Sequence, residues 1–285
     1  MSTTALLQAL ALQNRQTRWE LVERISLNFP THHPQGLAFA GDHIFLSSVE
    51  VLDPPTNVFD PKRSTPGRGV GHMFVLDREG HLVQDILIGK GDMYHPGGID
   101  FDGTNIWVPV GEYRPGAKSM MLTVDPETFA VIERFQVKDS IGWAISDAGS
   151  GRIHGGNWGS RQFYTWSEDG EERDSWKNPS DFIDYQDCQF AGNGLAICSG
   201  IAVLPAPAGV GEYELGGIAV VDLMNHRILS ETPIPVFSKA AHVLTRNPFA
   251  ITLEAGNILL HVAPDDGFDL YGTELLTYKT AIVEE

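Results

Sequence analysis

The sequence predicts an all-β fold, a five-bladed β-propeller closed by a strand from the N-terminus. Three observations carry this: a gapless internal repeat, an alternation of two kinds of hairpin along the whole chain, and a missing strand at one end that is matched by an unpaired strand at the other. The first repeat runs from His33 to Leu46 and reappears from His95 to Val108, each copy a strand, a Gly-containing turn and a second strand. The likeness extends to Glu50 and Glu112, each 17 positions after its histidine.

Weaker copies begin at Ala144-Ile145-Ser146-Asp147, Cys188-Gln189-Phe190-Ala191 and Ala250-Ile251-Thr252-Leu253, which makes five inner hairpins. Between them lie runs of a second kind, such as Met73-Phe74-Val75-Leu76-Asp77 and Ile218-Ala219-Val220-Val221-Asp222. The first four of these lead through a polar turn into a further strand, but the fifth, Leu275 to Lys279, ends near the chain terminus. A period of about 45 to 60 residues built from paired hairpins is the mark of four-stranded propeller blades. Trp19 to Leu27 alternates like a strand with no hairpin before it, so it supplies the strand the last blade lacks and leaves no open sheet edge. A six-bladed ring is the alternative.

Residues 17–285 therefore form one propeller domain, and residues 1–16 an N-terminal helix or tail whose removal up to Asn14 is expected to be tolerated. Ala5 to Leu12 is apolar but lacks a preceding basic residue and a cleavage site, which argues against a secretory signal. No apolar run approaches the ~20 residues of a membrane span, and the expected location is the cytoplasm. The formal net charge of −17, with no Lys/Arg run longer than a pair, argues against nucleic acid or an anionic membrane as partner. The only two cysteines, Cys188 and Cys198, read as small core residues rather than a disulfide or a zinc site.

In a propeller the residues just before each inner strand and just after its partner converge on one mouth of the channel. His33 and Glu50 occupy these places in blade one, and Tyr94, His95, Glu112 and Arg114 in blade two. Blade three contributes Trp143, His154, Asn157, Trp158 and Arg161, blade four Gln186 and Asp187, and blade five His242, Arg246, His261, Asp265 and Asp266. The long connections Val51–Val70, Leu204–Gly216 and Ala263–Gly272 overhang the same mouth, as functional loops commonly do. His43, His72, His81 and His226 fall in turns or outer strands and read as surface residues.

His33, Glu50, His95 and Glu112 are the catalytic candidates, because imidazole beside carboxylate supplies a base near neutral pH and a group to orient it. Tyr94, Arg114, Trp143, Asn157, Trp158, Arg161 and Gln186 are the substrate-binding candidates. His33, His95 and His242 come from different blades toward one axis and form a candidate divalent-metal site. No Ser or Cys nucleophile motif is evident. The expectation is a hydrolase, lyase or proton-transfer isomerase acting on a small polar or carboxylate-bearing molecule; the alternative is a non-catalytic binding propeller.

The runs His95 to Asp100, Glu112 to Pro115 and Asn157 to Arg161 resemble an uncharacterised family of bacterial propellers. Gln35-Gly36-Leu37, Gly142 to Asp147 and Tyr185 to Phe190 distantly resemble the five-bladed glutaminyl cyclases, with Gln186 or Asp187 where those enzymes place Glu. Lactonases and streptogramin lyases are similar in general plan. These likenesses imply a propeller and leave the activity open.

Overall fold

The computed structural model describes residues 3–57, 60, 63–206 and 211–281. Pro207 and the rest of the tip of the Leu204–Gly216 connection lie outside this range, as do Met1, Ser2 and residues 282–285. Helix α1 (Thr3–Ala11) precedes strand β1 (Glu20–Ser26), after which the named elements among the described residues are all β-strands.

Five sheets form, one per blade. Blade one is β2 (His33–Ala40), β3 (His43–Asp53), β4 (Arg68–Leu76) and β5 (Leu82–Ile88). Blade two has a split inner strand, β6 (Met93–Pro96) and β7 (Asp100–Phe101), followed by β8 (Ile106–Glu112), β9 (Ser119–Val124) and β10 (Val131–Val137). Blade three is β11 (Ile141–Asp147), β12 (Arg152–Asn157), β13 (Gln162–Ser167) and β14 (Glu172–Lys177). Blade four is β15 (Asp184–Phe190), β16 (Leu195–Pro205), β17 (Glu212–Asp222) and β18 (Arg227–Pro233). Blade five is β19 (Phe249–Glu254), β20 (Asn257–Val262) and β21 (Glu274–Ala281), with β1 antiparallel to β21 as its outer strand. The predicted ring closure is thus realised, from Glu20 opposite Lys279 to Ser26 opposite Glu274, and the six-bladed alternative is replaced by five.

Burial follows strand position. The outer strands β1, β5, β10 and β14 are mostly exposed and β18 alternates between exposed and half-buried, whereas β8 and β9 are buried along their whole length. The core lies between blades, as where Phe45, Val75, Ile99, Val108 and Leu122 join blades one and two. Helix α1 is not a dispensable tail. Leu6, Ala9 and Leu10 are buried among Ile218, Leu244, Phe249 and Leu260, between blades four and five. Removal of the helix is therefore expected to lower stability.

The cysteines correct a second expectation. Cys188 and Cys198 are buried core residues, but they are directly opposite across the β15–β16 ladder and form a disulfide. A spacing of ten residues gave no hint of this, because register, not spacing, makes them partners.

The channel is filled at its middle by a side-chain hub. The fully buried Asp187 carboxylate accepts four backbone N–H bonds: from Leu37 in blade one (2.9 Å), Ile99 in blade two (2.9 Å), Phe249 in blade five (3.0 Å) and Cys188 in its own blade (3.1 Å). Inner strands face the axis with unpaired N–H groups, which must find acceptors when buried. Asp100 and Gln189 serve the same end, accepting the N–H groups of Phe190 (2.8 Å) and Ile251 (3.0 Å). Gly98 is required here: a Cβ on it would stand 2.5 Å from Asp187 Oδ1. Asp187 therefore sits inside the channel rather than at its mouth.

Candidate functional site

Four of the five inner strands carry a bulge at the same place, and these bulges build the mouth. The register slips between Pro34 and Gly36, Met93 and His95, Ile141 and Trp143, and Tyr185 and Asp187. The extra residues are Gln35, Tyr94, Gly142 and Gln186. A bulge re-aims the side chains around it, and Gln35, His95, Glu112, Trp158, Tyr185 and Gln186 line one pocket with Gly142 on its wall. The free volume is about 20 Å³, room for about one water molecule.

His95 is roofed by aromatic rings. Its centroid lies 4.2 Å from Tyr113 and 5.9 Å from Trp158, and those two rings are 5.2 Å apart. Burial, with the nearby His33 adding to it, holds the His95 imidazole down at about 3, so it is neutral at physiological pH. Glu112 is only 6% exposed and is gripped by Arg114, whose Nε donates to Oε2 at 2.8 Å; Arg114 also donates to the Ser64 carbonyl in the long blade-one loop.

Above them, His33 Nδ1 meets Asp266 Oδ1 at 2.6 Å, and Arg246 donates to the other Asp266 oxygen at 3.0 Å. Burial opposes ionisation of Asp266, but the His33 bond and the Arg246 charge outweigh it and hold the carboxyl below its ordinary range. His33 Nδ1–H is therefore the donor, which leaves Nε2 as a free lone pair with no partner among the described residues. Tyr113 feels both Asp266 and Arg246, which connects the two halves of the site.

The structure brings His95, Glu112, Trp158 and Gln186 to one mouth pocket, with His33 near enough to His95 to act on its charge, and Tyr94 behind Tyr113 at 6.4 Å and bonded through its hydroxyl to the Pro66 carbonyl. It places the others elsewhere. Trp143 has no exposure: its Nε1 donates to Ser160 Oγ and its ring packs 5.7 Å from Phe163. Gly156 makes room for it, since a Cβ there would stand 2.5 Å from Trp143 Nε1. Asn157 shapes its own turn by accepting the N–H groups of Arg161 and Gln162, and Arg161 is consumed by Asp181, Asp184 and three carbonyls.

Among the described residues, the three histidines expected to share a metal do not form a group with ligand atoms within 4.8 Å of one another. His33 is held by Asp266, and His242 by Glu214 at 2.8 Å, with Asp269 at 3.6 Å from its Nε2. Glu50 is not in the pocket but near His72. His72, expected at the surface, is buried with 6% exposure because β4 turns it inward against Phe74. Asp266 and Arg246 were within the expected mouth, but their union with His33 has no signature in spacing.

His154 and His261 are also withdrawn from the mouth, into blade interiors. Their rings bond to Thr165 and Thr277 through Nδ1, and burial lowers both to about 4. The unfolded chain takes up these protons from about pH 6.5 downward, whereas the fold resists until about pH 4. Stability contributed by the neutral rings is complete above pH 6.5 and is lost as pH falls toward 4, at about 1.4 kcal/mol per pH unit for each histidine. The double variant His154→Gln, His261→Gln is expected to show a shallower acid slope by about 3 kcal/mol per pH unit in urea unfolding between pH 6 and 4.5. Parallel slopes for variant and wild type would refute buried neutral imidazoles.

Fold and site together define a five-bladed propeller with a polar, aromatic-roofed pocket at one channel mouth. The chain belongs to the family of unknown function DUF6454, whose model matches residues 3–282. No curated protein matches it. Among solved structures, a luciferin-regenerating enzyme is similar at 9% identity, covering 93% of this chain and 96% of its own, with a TM-score of 0.50. A DUF4623 family protein from Bacteroides eggerthii is similar at 12% identity over 94% of this chain and 77% of its own, TM-score 0.47. A protein of unknown function from Bacteroides caccae follows at 13% identity over 83% and 72%, TM-score 0.45. The likeness to the luciferin-regenerating enzyme, at 9% identity, shows the fold alone. No helix among the described residues is long and apolar enough to cross a membrane.

Proposed function

We propose that the protein is an acid/base enzyme acting on a small, uncharged polar molecule at the channel mouth, by hydrolysis, elimination or proton-transfer rearrangement. The observation that carries this reading is the His33–Asp266 pair beside a neutral His95 above a water-sized pocket. Asp266 orients His33 and stabilises the imidazolium formed when Nε2 takes a proton. His95, uncharged, is suited to donate a hydrogen bond to a developing oxyanion without itself being a strong acid. The pocket polar groups Gln35, Gln186 and Glu112 are suited to hold one water below the substrate.

The substrate class is narrowed by charge. Arg114, Arg161 and Arg246 all spend their guanidinium groups on carboxylates, so a carboxylate-bearing substrate would find no free cation among them and would meet Glu112 and Asp266. Tyr113 and Trp158 supply apolar faces for a neutral ring or carbonyl compound.

A thermal-shift screen of paired compounds, such as lactones and amides against the corresponding acids, tests this, followed by product analysis of each hit. Uncharged members are expected to stabilise the protein and to be turned over. Stabilisation by the acids alone would contradict the substrate class, and binding of neutral compounds without any product would make this a ligand-binding propeller.

A further inference from the structure

We propose that His32, Glu50 and His72 hold a divalent metal ion of the zinc class, at the upper edge of blade one and apart from the mouth pocket. The three side chains offer ligand atoms that all lie within 4.8 Å of one another, and they are the group of this kind among the described residues. Bonds of about 2.0–2.1 Å to a tetrahedral ion put ligand atoms about 3.4 Å apart. His72 Nε2 already stands 3.9 Å from Glu50 Oε2, so closure around an ion needs only small side-chain rotations.

An independent observation points the same way. His72 is 6% exposed, and its buried Nε2 has no hydrogen-bond partner. Its Nδ1 lies 2.9 Å from Asp85 Oδ1, so the carboxylate accepts a hydrogen bond from Nδ1–H, and the other nitrogen, Nε2, faces Glu50 and His32. A buried, unmatched acceptor is costly. A carboxylate behind a histidine that presents its other nitrogen is the usual outer support of a metal ligand.

The neighbours hold the rings in place. His32 and His72 are stacked with centroids 4.9 Å apart, on Phe74, 5.1 Å from His72. His32 is delivered by a left-handed backbone (φ 57°), clamped by a 2.7 Å bond from Gly267 N–H in the blade-five loop to its carbonyl. Such a conformation costs about 1 kcal/mol for a residue with a side chain. Two imidazoles and one carboxylate favour zinc, cobalt or nickel over magnesium or calcium, which prefer oxygen. The Glu50 side chain is 37% exposed, which leaves a fourth position for water. The ion would tie the residue entering β2 to β3 and β4, next to the loop of blade five.

The test is a Zn²⁺ titration of untagged, chelator-treated full-length protein by calorimetry, with Co²⁺ absorption as a second readout. One equivalent is expected to bind. Glu50→Gln and His32→Gln, both at partly exposed positions, are expected to weaken binding at least tenfold, and Asp85→Asn by about 10–100-fold, with melting of the metal-free variants close to wild type. His33→Gln and His242→Gln are expected to bind as the wild type does. Absence of stoichiometric binding, affinity unchanged in Glu50→Gln and His32→Gln, or loss of binding in His33→Gln or His242→Gln would each overturn the assignment.

Discussion

Removal of Met1–Leu27 is expected to abolish cooperative folding. Strand β1 pairs with β21 along its length, and without it β21 becomes an open edge at the ring's closure. Leu6, Leu10 and Leu27 leave the core with it, at about 1.5–3 kcal/mol each. Those three side chains alone approach the roughly 5–15 kcal/mol that holds a typical domain folded, before the lost strand is counted. The ion pairs of Arg24 and Lys239 with Glu274 also lose one member, leaving a buried carboxylate with half its partners. The shorter deletion of Met1–Asn14 removes only the helix. That variant is expected to fold with stability lowered by about 3–6 kcal/mol. Circular-dichroism melting checks both: a longer deletion that melts at the wild-type temperature would refute closure by β1.

Asp187→Asn is expected to be the most damaging conservative substitution in the channel. Each Asp187 oxygen accepts two N–H bonds; an amide in its place turns one acceptor into a donor facing two donors. Two orphaned buried N–H groups cost about 1–3 kcal/mol each, giving a loss of about 3–5 kcal/mol and a fall in melting temperature of about 10 °C for a chain of this size. Burial, with Asp100 close by, raises the Asp187 carboxyl well above its ordinary range, while the Phe249, Leu37 and Ile99 N–H groups act to lower it. Melting of the Asp187→Asn variant within a degree or two of wild type would mean that the blades hold their axis without this hub.

The fold was legible because propeller blades repeat, and His33 to Leu46 matches His95 to Val108 without a gap. Ring closure was legible from arithmetic: one strand short at the C-terminus, one strand spare at the N-terminus. The mouth was legible in outline, since topology alone sends His33, His95, Glu112, Trp158 and Gln186 to one face. What the sequence hid is set by register and by side-chain competition. The bulge at Gln186 turns Asp187 into the channel, and a direct cross-strand pairing joins Cys188 to Cys198. His33 and His95 repeat in sequence but diverge in partner, one taking Asp266 and the other an aromatic roof. Glu50 and Glu112 diverge likewise, because blade one offers His72 and blade two offers Arg114. His32 and His72 carried no signal: one lies in a turn and the other in a strand whose facing could not be read from alternation alone.

In the proposed reaction, chemistry occurs at the mouth through His33, oriented by Asp266. Steady-state turnover of a substrate found by the paired screen, measured for His33→Asn beside the wild type with melting temperatures for both, tests it most directly. A fall in kcat of about 10²–10⁴-fold is expected, with little change in KM and a melting temperature close to wild type. An unchanged kcat in well-folded His33→Asn protein would contradict it.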